Sequence, residues 1–385
     1  MENNNLFEMD DIIVREKSPT RALSTNLPKI AVIGVGGGGC NMVNHTIEEG
    51  IHMVDLIVAN TDLKALHVSK APIKIELGPN LTKGFGAGMD PEVGRDAALE
   101  SYEEIKTALA GADIVFIAAG LGGGTGTGAA PIVAKAAKEV GALTVSVVTK
   151  PFAHEGIFKA GLANTGLDEL KKVSDSLIVI SNDKLIETVD EKITLKNAYK
   201  IVDNILYQAV NGMSQVILNP GSGSDQNADF ADVKTIMKYK GIALMGIGKA
   251  KGEHAVRRAL DNAINSPLLE KLPLDGAKGA LVHLTISPDI GLLEVTDILT
   301  TIGSRVDKYA KIIQGITYDD TFEPDQVKIT IIATGFETKN KDEDDESIDE
   351  TNENLNFEDK FDSVESKLDT PPRMRGYTVE YHLHH

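Results

Sequence analysis

Along the first half of the chain, short apolar runs alternate with longer stretches whose apolar residues recur every three or four positions. The runs Lys29–Ile33, Leu56–Ala59, Asp113–Ala119, Leu143–Val148 and Leu177–Ile180 are rich in Val and Ile and read as buried strands. Between them the spacing predicts four helices. One carries Met42, Val43 and Ile47 inward, one runs to about Ala110, an Ala-rich one covers 129–139, and one extends from Gly156 through Leu170. Leu81–Gly94 is glycine-rich and reads as a loop. Such alternation predicts a parallel sheet covered on both faces.

Leu195–Ile217 carries apolar residues at 195, 198, 201, 202, 205, 206, 209, 210, 213, 216 and 217. That spacing predicts one long, largely buried helix, with Gly212 tolerated inside it at about 1 kcal/mol. A loop from Asn219 and a short helix follow. Strands then fit 242–248, 280–287, 311–317 and 327–335, with helices near 253–265 and 291–303. The expected fold class is α/β: a Rossmann-like parallel-sheet domain over 27–193, a connecting helix over 194–217, and a smaller α+β domain over 218–336.

Composition sharpens the two ends. A chain of 385 residues, 42% of them hydrophobic, is long enough for two domains. Its net charge of −18 argues against nucleic acid as a partner, because phosphate backbones are bound by clustered Lys and Arg. Between Lys339 and Asp369 thirteen acidic residues face four lysines, half of that charge. Residues 337–368 therefore read as a solvated acidic linker. In 369–385, Pro371, Pro372, Arg373 and Arg375 break the acidity, as a short docking peptide would. Residues 1–26 are polar, of mixed charge, and expected to be disordered. His382, His384 and His385 read as a ragged surface tail rather than a metal site.

One cysteine rules out a disulfide framework and fits a reducing cytosol. No apolar run approaches the ~18 residues of a membrane span, and the N-terminus lacks the apolar core of a signal peptide. A cytoplasmic protein without membrane insertion is expected.

Two glycine clusters carry the candidate chemistry. Gly34–Asn41 follows the first strand, and Gly122–Gly128, reading GGGTGTG, joins the Asp113–Ala119 strand to the Ala-rich helix. Glycines let backbone N–H groups approach an anion, and a helix N-terminus adds partial positive charge. Thr125 and Thr127 add hydroxyls. The second cluster reads as a cradle for a di- or triphosphate. In the first, Gly34, Gly36 and Gly39 satisfy GxGxxG, and Asp62 lies about 20 residues on, where a Rossmann fingerprint has its ribose-binding acid. Alone, that motif points to an NAD-dependent oxidoreductase. Two such loops in one sheet suggest instead one phosphate chain gripped from both sides. The chain has no GxxxxGK[ST], so it is not a P-loop NTPase.

GGGTGTG at 122–128 is also the tubulin signature. With the glycine run 36–39, NTD at 60–62, TKPF at 149–152, NDKL at 182–185 and NADFADV at 227–233, residues 27–336 resemble the tubulin/FtsZ family of GTPases, in particular its bacterial cell-division members. The resemblance implies a GTP-binding domain, head-to-tail homopolymers, and a filament ring at the cytoplasmic division site. It implies GTP/GDP contacts from Gly37, Gly38, Gly39, Cys40 and Asn41 in the first loop and from Gly124, Thr125 and Gly126 in the second. Glu155 falls on the ribose side, Asp203 at the guanine, and Asn182 in the base pocket. Asp229 and Asp232 match acids that enter a neighbouring subunit's site. Division adaptors tethered to the membrane would bind the peptide around Asp369–Arg375.

This chain departs from that pattern in four places. Lys159 stands where arginine is common, keeping the charge without the bidentate fork. Cys40 replaces a small residue; a helix N-terminus can lower a thiol pKa, and the simpler reading is a residue that fits. GSGSDQ at 221–226 lengthens a loop, and the terminal peptide keeps only Asp369, Pro371 and Arg375 of the adaptor motif.

Hydrolysis needs neutralised phosphates and a positioned water. The loops serve the first need, with Mg²⁺ held mainly by phosphate oxygens and water rather than by a protein cage. Asp229 and Asp232, three residues apart at a helix start, serve the second or simply cap the helix. A helix of about 23 residues spans ~35 Å. If cradle and acids sit at its opposite ends, only a second molecule brings them together. A nucleotide-binding scaffold that assembles without turnover is the third reading.

Overall fold

The computed structural model describes residues 27–186, 194–218, 230–266, 274 and 276–336. In chain order these form β1 (Ile30–Val35), α1 (Gly36–Glu48), β2 (Val54–Asn60), α2 (Leu63–Val68), β3 (Ile73–Glu76), α3 (Pro79–Thr82), α4 (Pro91–Glu100) and α5 (Tyr102–Leu109). Then come β4 (Ile114–Gly120), α6 (Gly124–Glu139), β5 (Leu143–Lys150), α7 (Ile157–Val173), β6 (Ser176–Ser181), α8 (Asn182–Ile186) and α9 (Leu195–Leu218). The remainder is α10 (Phe230–Met237), β7 (Leu244–Lys251), α11 (Ala255–Ile264), β8 (Gly279–Ile286), α12 (Leu292–Gly303), β9 (Lys311–Tyr318) and β10 (Gln326–Thr334).

The first sheet is six-stranded in the order β3-β2-β1-β4-β5-β6, and every pairing is parallel. Period-two alternation divides its side chains between two cores. Val32, Val58, Phe116, Val147 and Ile178 face α1 and α9. Ile33, Ile57, Ile117, Val148 and Val179 face the α4–α7 side. Strand order reverses between β1 and β4, which pair with Val35 opposite Ala119. That switch point is where open α/β sheets bind ligands, at the strands' C-terminal ends. It sets the turns into α1 and α6, the two glycine clusters, side by side.

α9 crosses the face of this sheet. Its Ala209, Val210, Met213 and Val216 lie in one core with Phe116 and with Met245, Leu281 and Ile332 of the second sheet. Gly212 has a packing reason: a Cβ there would stand 2.7 Å from the Met245 side chain. The second sheet has the order β7-β10-β8-β9, with α11 and α12 on its far face. Ser176 Oγ donates to the Met237 carbonyl at 2.6 Å, tying α10 to the start of β6.

Two local expectations differ, and one strand has no expectation behind it. The first glycine run is no loop before a helix; it forms the first turn of α1. The helix expected up to Ala110 is two, α4 and α5, broken at Ser101. Ser101 Oγ accepts from Gly78 N at 3.1 Å and donates to the Glu76 carbonyl at 2.9 Å, so tertiary bonds set the break. Edge strand β3 carries no sequence pattern, since only Ile75 of its four residues is buried. The extension 1–26, the linker 337–368, the terminal peptide and the loop holding 221–226 and Asp229 lie outside the described residues.

Candidate nucleotide site

A cavity of about 270 Å³ opens at the C-terminal edge of the first sheet. Gly38 and Asn41 of α1 form one wall and Gly120–Gly123, between β4 and α6, the next. Thr149, Pro151, Glu155 and Lys159 come from the β5–α7 side, Asn182 from α8, and Tyr199, Val202 and Asp203 from α9. Of the residues expected from sequence, Gly38, Asn41, Glu155, Lys159, Asn182 and Asp203 meet here.

The others stand behind this lining. Gly37 is exposed beside Gly38, with open space where a Cβ would be. Gly39, Gly124 and Gly126 are buried. A Cβ on Gly39 would stand 2.3 Å from the Ala118 carbonyl oxygen, and one on Gly126 2.3 Å from that of Gly120. A Cβ on Gly124 would come 2.9 Å from Asp90 N. These glycines let backbones pack while the first turn of α6 keeps N–H groups without intrahelical partners. Thr125 Oγ1 lies 2.7 Å from Thr61 Oγ1, and Thr127 Oγ1 accepts from Gly122 N at 2.9 Å. Both threonines thus brace the loop.

Cys40 is 2% exposed. Burial pushes its thiol up to about 11, against a smaller opposing effect of the Asn60 amide, whose nitrogen donates to Sγ at 3.7 Å. The helix N-terminus does not activate it; the residue fits a gap. Asp62 spends its carboxylate as the cap of α2, accepting from Lys64 N at 2.8 Å, so the acid expected of a dinucleotide fingerprint serves locally.

At the rim, Glu155 accepts from Phe152 N at 3.0 Å and from Lys159 Nζ at 3.0 Å. A half-exposed pair of this kind is worth at most about 1 kcal/mol, so it orients Lys159 more than it stabilises the fold. Asn182 is 5% exposed, and its Oδ1 has no partner among the described residues. A buried acceptor on a cavity wall fits a ligand N–H. Asp203 is half-buried; burial raises its carboxyl to about 6, opposed by His45. Sequence reasoning missed Tyr199, one turn before Asp203 on the same face of α9, whose ring meets Phe152 edge-on at 5.3 Å. The four-residue step to Asp203 was the available signal.

Asp232 lies in the first turn of α10, exposed and away from this cavity. α10 is held at the start of β6 through Ser176, whereas the cavity opens beyond its other end at Ser181. The structure does not bring the acid and the glycine loops of one chain together. Among the described residues no group of three or more His, Cys, Asp and Glu is placed to hold a metal ion, and no helix is long and apolar enough to cross a membrane.

Paired glycine loops at the switch point of a parallel sheet, walled by a long helix bearing a carboxylate, define a nucleotide-binding α/β protein with a second, smaller domain. Residues 29–190 match the Tubulin/FtsZ family, GTPase domain, and residues 241–337 the FtsZ family, C-terminal domain. The cell division protein FtsZ of Neisseria meningitidis is 46% identical over 311 residues, 80% of this chain and 79% of that protein. The solved FtsZ dimer of M. jannaschii is 44% identical with a TM-score of 0.74, covering 81% of this chain and 90% of its own. A GTPγS-bound protofilament of CetZ2 from Haloferax volcanii, 22% identical with a TM-score of 0.68 and covering 80% and 93%, shares the fold. The chain belongs to the FtsZ family, and is a tubulin-like GTPase of cell division. Oxidoreductase chemistry is thereby set aside.

Proposed function

We propose that this chain hydrolyses GTP at the junction between head-to-tail copies of itself, each supplying half of the reaction centre. The observation carrying this reading is the separation of the cavity from Asp232. In a stack, the α10 end of one copy meets the open cleft of the next, a heterologous contact that builds open filaments. Ile157 and Phe158, 92% and 67% exposed beside Glu155 and Lys159, offer apolar surface for such a contact.

In this reading the phosphate chain lies between the first turns of α1 and α6. N–H groups of Gly37, Gly38, Gly39, Cys40 and Asn41 face it from one side and those of Gly124, Thr125 and Gly126 from the other. Glu155 meets the ribose and Lys159 the nearby negative charge. The Asp203 carboxylate accepts guanine N–H bonds, Asn182 Oδ1 accepts one more, and Tyr199 stacks on the base. Mg²⁺ would neutralise phosphate charge when bound, and would be held mainly by phosphate oxygens and water beside the glycine loops rather than by a protein cage. Asp229 and Asp232 of the next copy orient the attacking water and accept its proton.

The wider organisation follows the same reading. Residues 27–193 bind nucleotide, 194–217 connect, and 218–336 present the acids. Residues 1–26 and 337–368 serve as extension and linker. The peptide Asp369–Arg375 engages a membrane-tethering adaptor, so that filaments gather as a ring at the division site in the cytoplasm. The test is GTP-triggered sedimentation with phosphate release measured in the same tube across protein concentrations. Specific activity should climb above a threshold where pelleting begins. Full-rate turnover by monomers overturns catalysis in trans; pelleting without phosphate release would mean a scaffold.

A further inference from the structure

One row of residues crosses all four strands of the second sheet: Lys249 of β7 pairs with Lys328 of β10, Lys328 with Thr285 of β8, and Thr285 with Thr317 of β9. The two lysines are therefore directly opposite, a like-charge cross-strand pair that repels. Lys328 Nζ donates to Gln215 Oε1 of α9 at 2.8 Å, a neutral acceptor. No ion pair to Lys328 exists among the described residues. The titratable groups sharing this side among the described residues include Asp319, just past β9, Lys251, which is already paired with Glu323, and His283 of β8, whose Nε2 lies 3.1 Å from Thr317 Oγ1. α9 brings no charge to the contact. Lys328 is half-buried, with its head reachable from solvent.

We propose that Lys328 is an acylation site, taking the acyl group of small acyl phosphates. The uncharged amine attacks the carbonyl carbon, the C–O bond to phosphate breaks, phosphate leaves with that bond's electrons, and the ammonium-like proton of the adduct passes to water. An amide remains, whose N–H keeps the bond to Gln215 while the repulsion from Lys249 disappears. The surroundings favour the reactive form: burial first, then Lys249, lower the Lys328 pKa to about 8, against a smaller opposing effect of Asp319. An ordinary lysine titrates near 10.4 and is almost wholly protonated at neutral pH.

The test treats full-length protein with acetyl phosphate between pH 6.5 and 10 and quantifies each lysine by peptide mass spectrometry. Lys328 should label at least tenfold faster at pH 7.5 than exposed Lys238 or Lys240, and its rate should level off above pH ~8.5. The Lys249→Ala variant, altered only at an exposed position, should cut Lys328 labelling at pH 7.5 roughly two- to threefold as its pKa rises. A Lys328 rate equal to that of the exposed lysines, or unchanged by Lys249→Ala, overturns the proposal. So does absence of label on Lys328 in protein that still unfolds cooperatively.

Discussion

Gly36 and Gly126 stand backbone to backbone across the switch point: a Cβ on Gly36 would lie 2.8 Å from the Gly126 amide nitrogen, and Gly36 has φ +70°. This contact brings the first turns of α1 and α6 against each other. Gly36→Ala must either strain a left-handed backbone or push the loops apart. GTP affinity should fall at least tenfold by nucleotide fluorescence titration, with the circular dichroism spectrum retained. Unchanged affinity would mean the loops tolerate separation and do not grip one phosphate chain.

Asp203 couples protonation to stability. Its folded pKa of about 6 lies above the ordinary 3.8, so the folded state binds more protons than the unfolded one between those values. Stability of the nucleotide-free protein therefore falls as pH rises through that window, by about 1–3 kcal/mol in all. Asp203→Asn should stabilise the free protein at pH 7.5 in urea unfolding, with a gain that shrinks toward pH 4, while GTP binding weakens. An equal gain at both pH values would show that ionisation is not its source.

Tyr199 tests the base platform. Stacking of a base on an aromatic ring contributes about 1–3 kcal/mol, so Tyr199→Ala should weaken GTP roughly five- to a hundredfold in equilibrium titration. Tyr199→Phe should bind nearly as the parent does. If both variants bind normally, the base lies elsewhere.

Asp232→Ala should keep GTP binding and lower turnover at least a hundredfold, the scale on which removing one group acting only in the transition state operates. Mixing it with Gly36→Ala, which retains Asp232, should restore measurable phosphate release. One of the two kinds of mixed junction then joins an intact cleft, from the Asp232→Ala copy, to an intact acid, from the Gly36→Ala copy. No recovery in the mixture would argue that the two halves act within one chain.

Cys40, with its thiol held at about 11 by burial, should resist iodoacetamide at pH 7.5 in the folded protein and react fully once unfolded. Rapid native alkylation would mean that α1 opens at its first turn.

What the residues reveal before folding is what depends on neighbours in sequence. The glycine runs, the α9 spacing and the strand–helix alternation are local chemistry, and each has its counterpart in the structure. Spacing alone points to Asp62 as a ribose-binding acid; the bond from Lys64 N shows it capping α2 instead. The break at Ser101, edge strand β3 and the place of Asn182 on the cavity wall arise from contacts over long sequence separations. Tyr199 falls outside the apolar spacing of α9 and gains a role only once α9 is seen to reach the cavity with its N-terminal half. Cys40 shows the reverse case, where helix position suggests reactivity and burial removes it.

If copies stack as proposed, the separation of the cleft from Asp232 would give a growing strand a direction, with an unfilled pocket at one tip and Asp232 at the other. Nucleotide would then be swapped only at the first tip, because every interior pocket would be roofed by the next subunit. Polarity of growth and shrinkage would need no regulator.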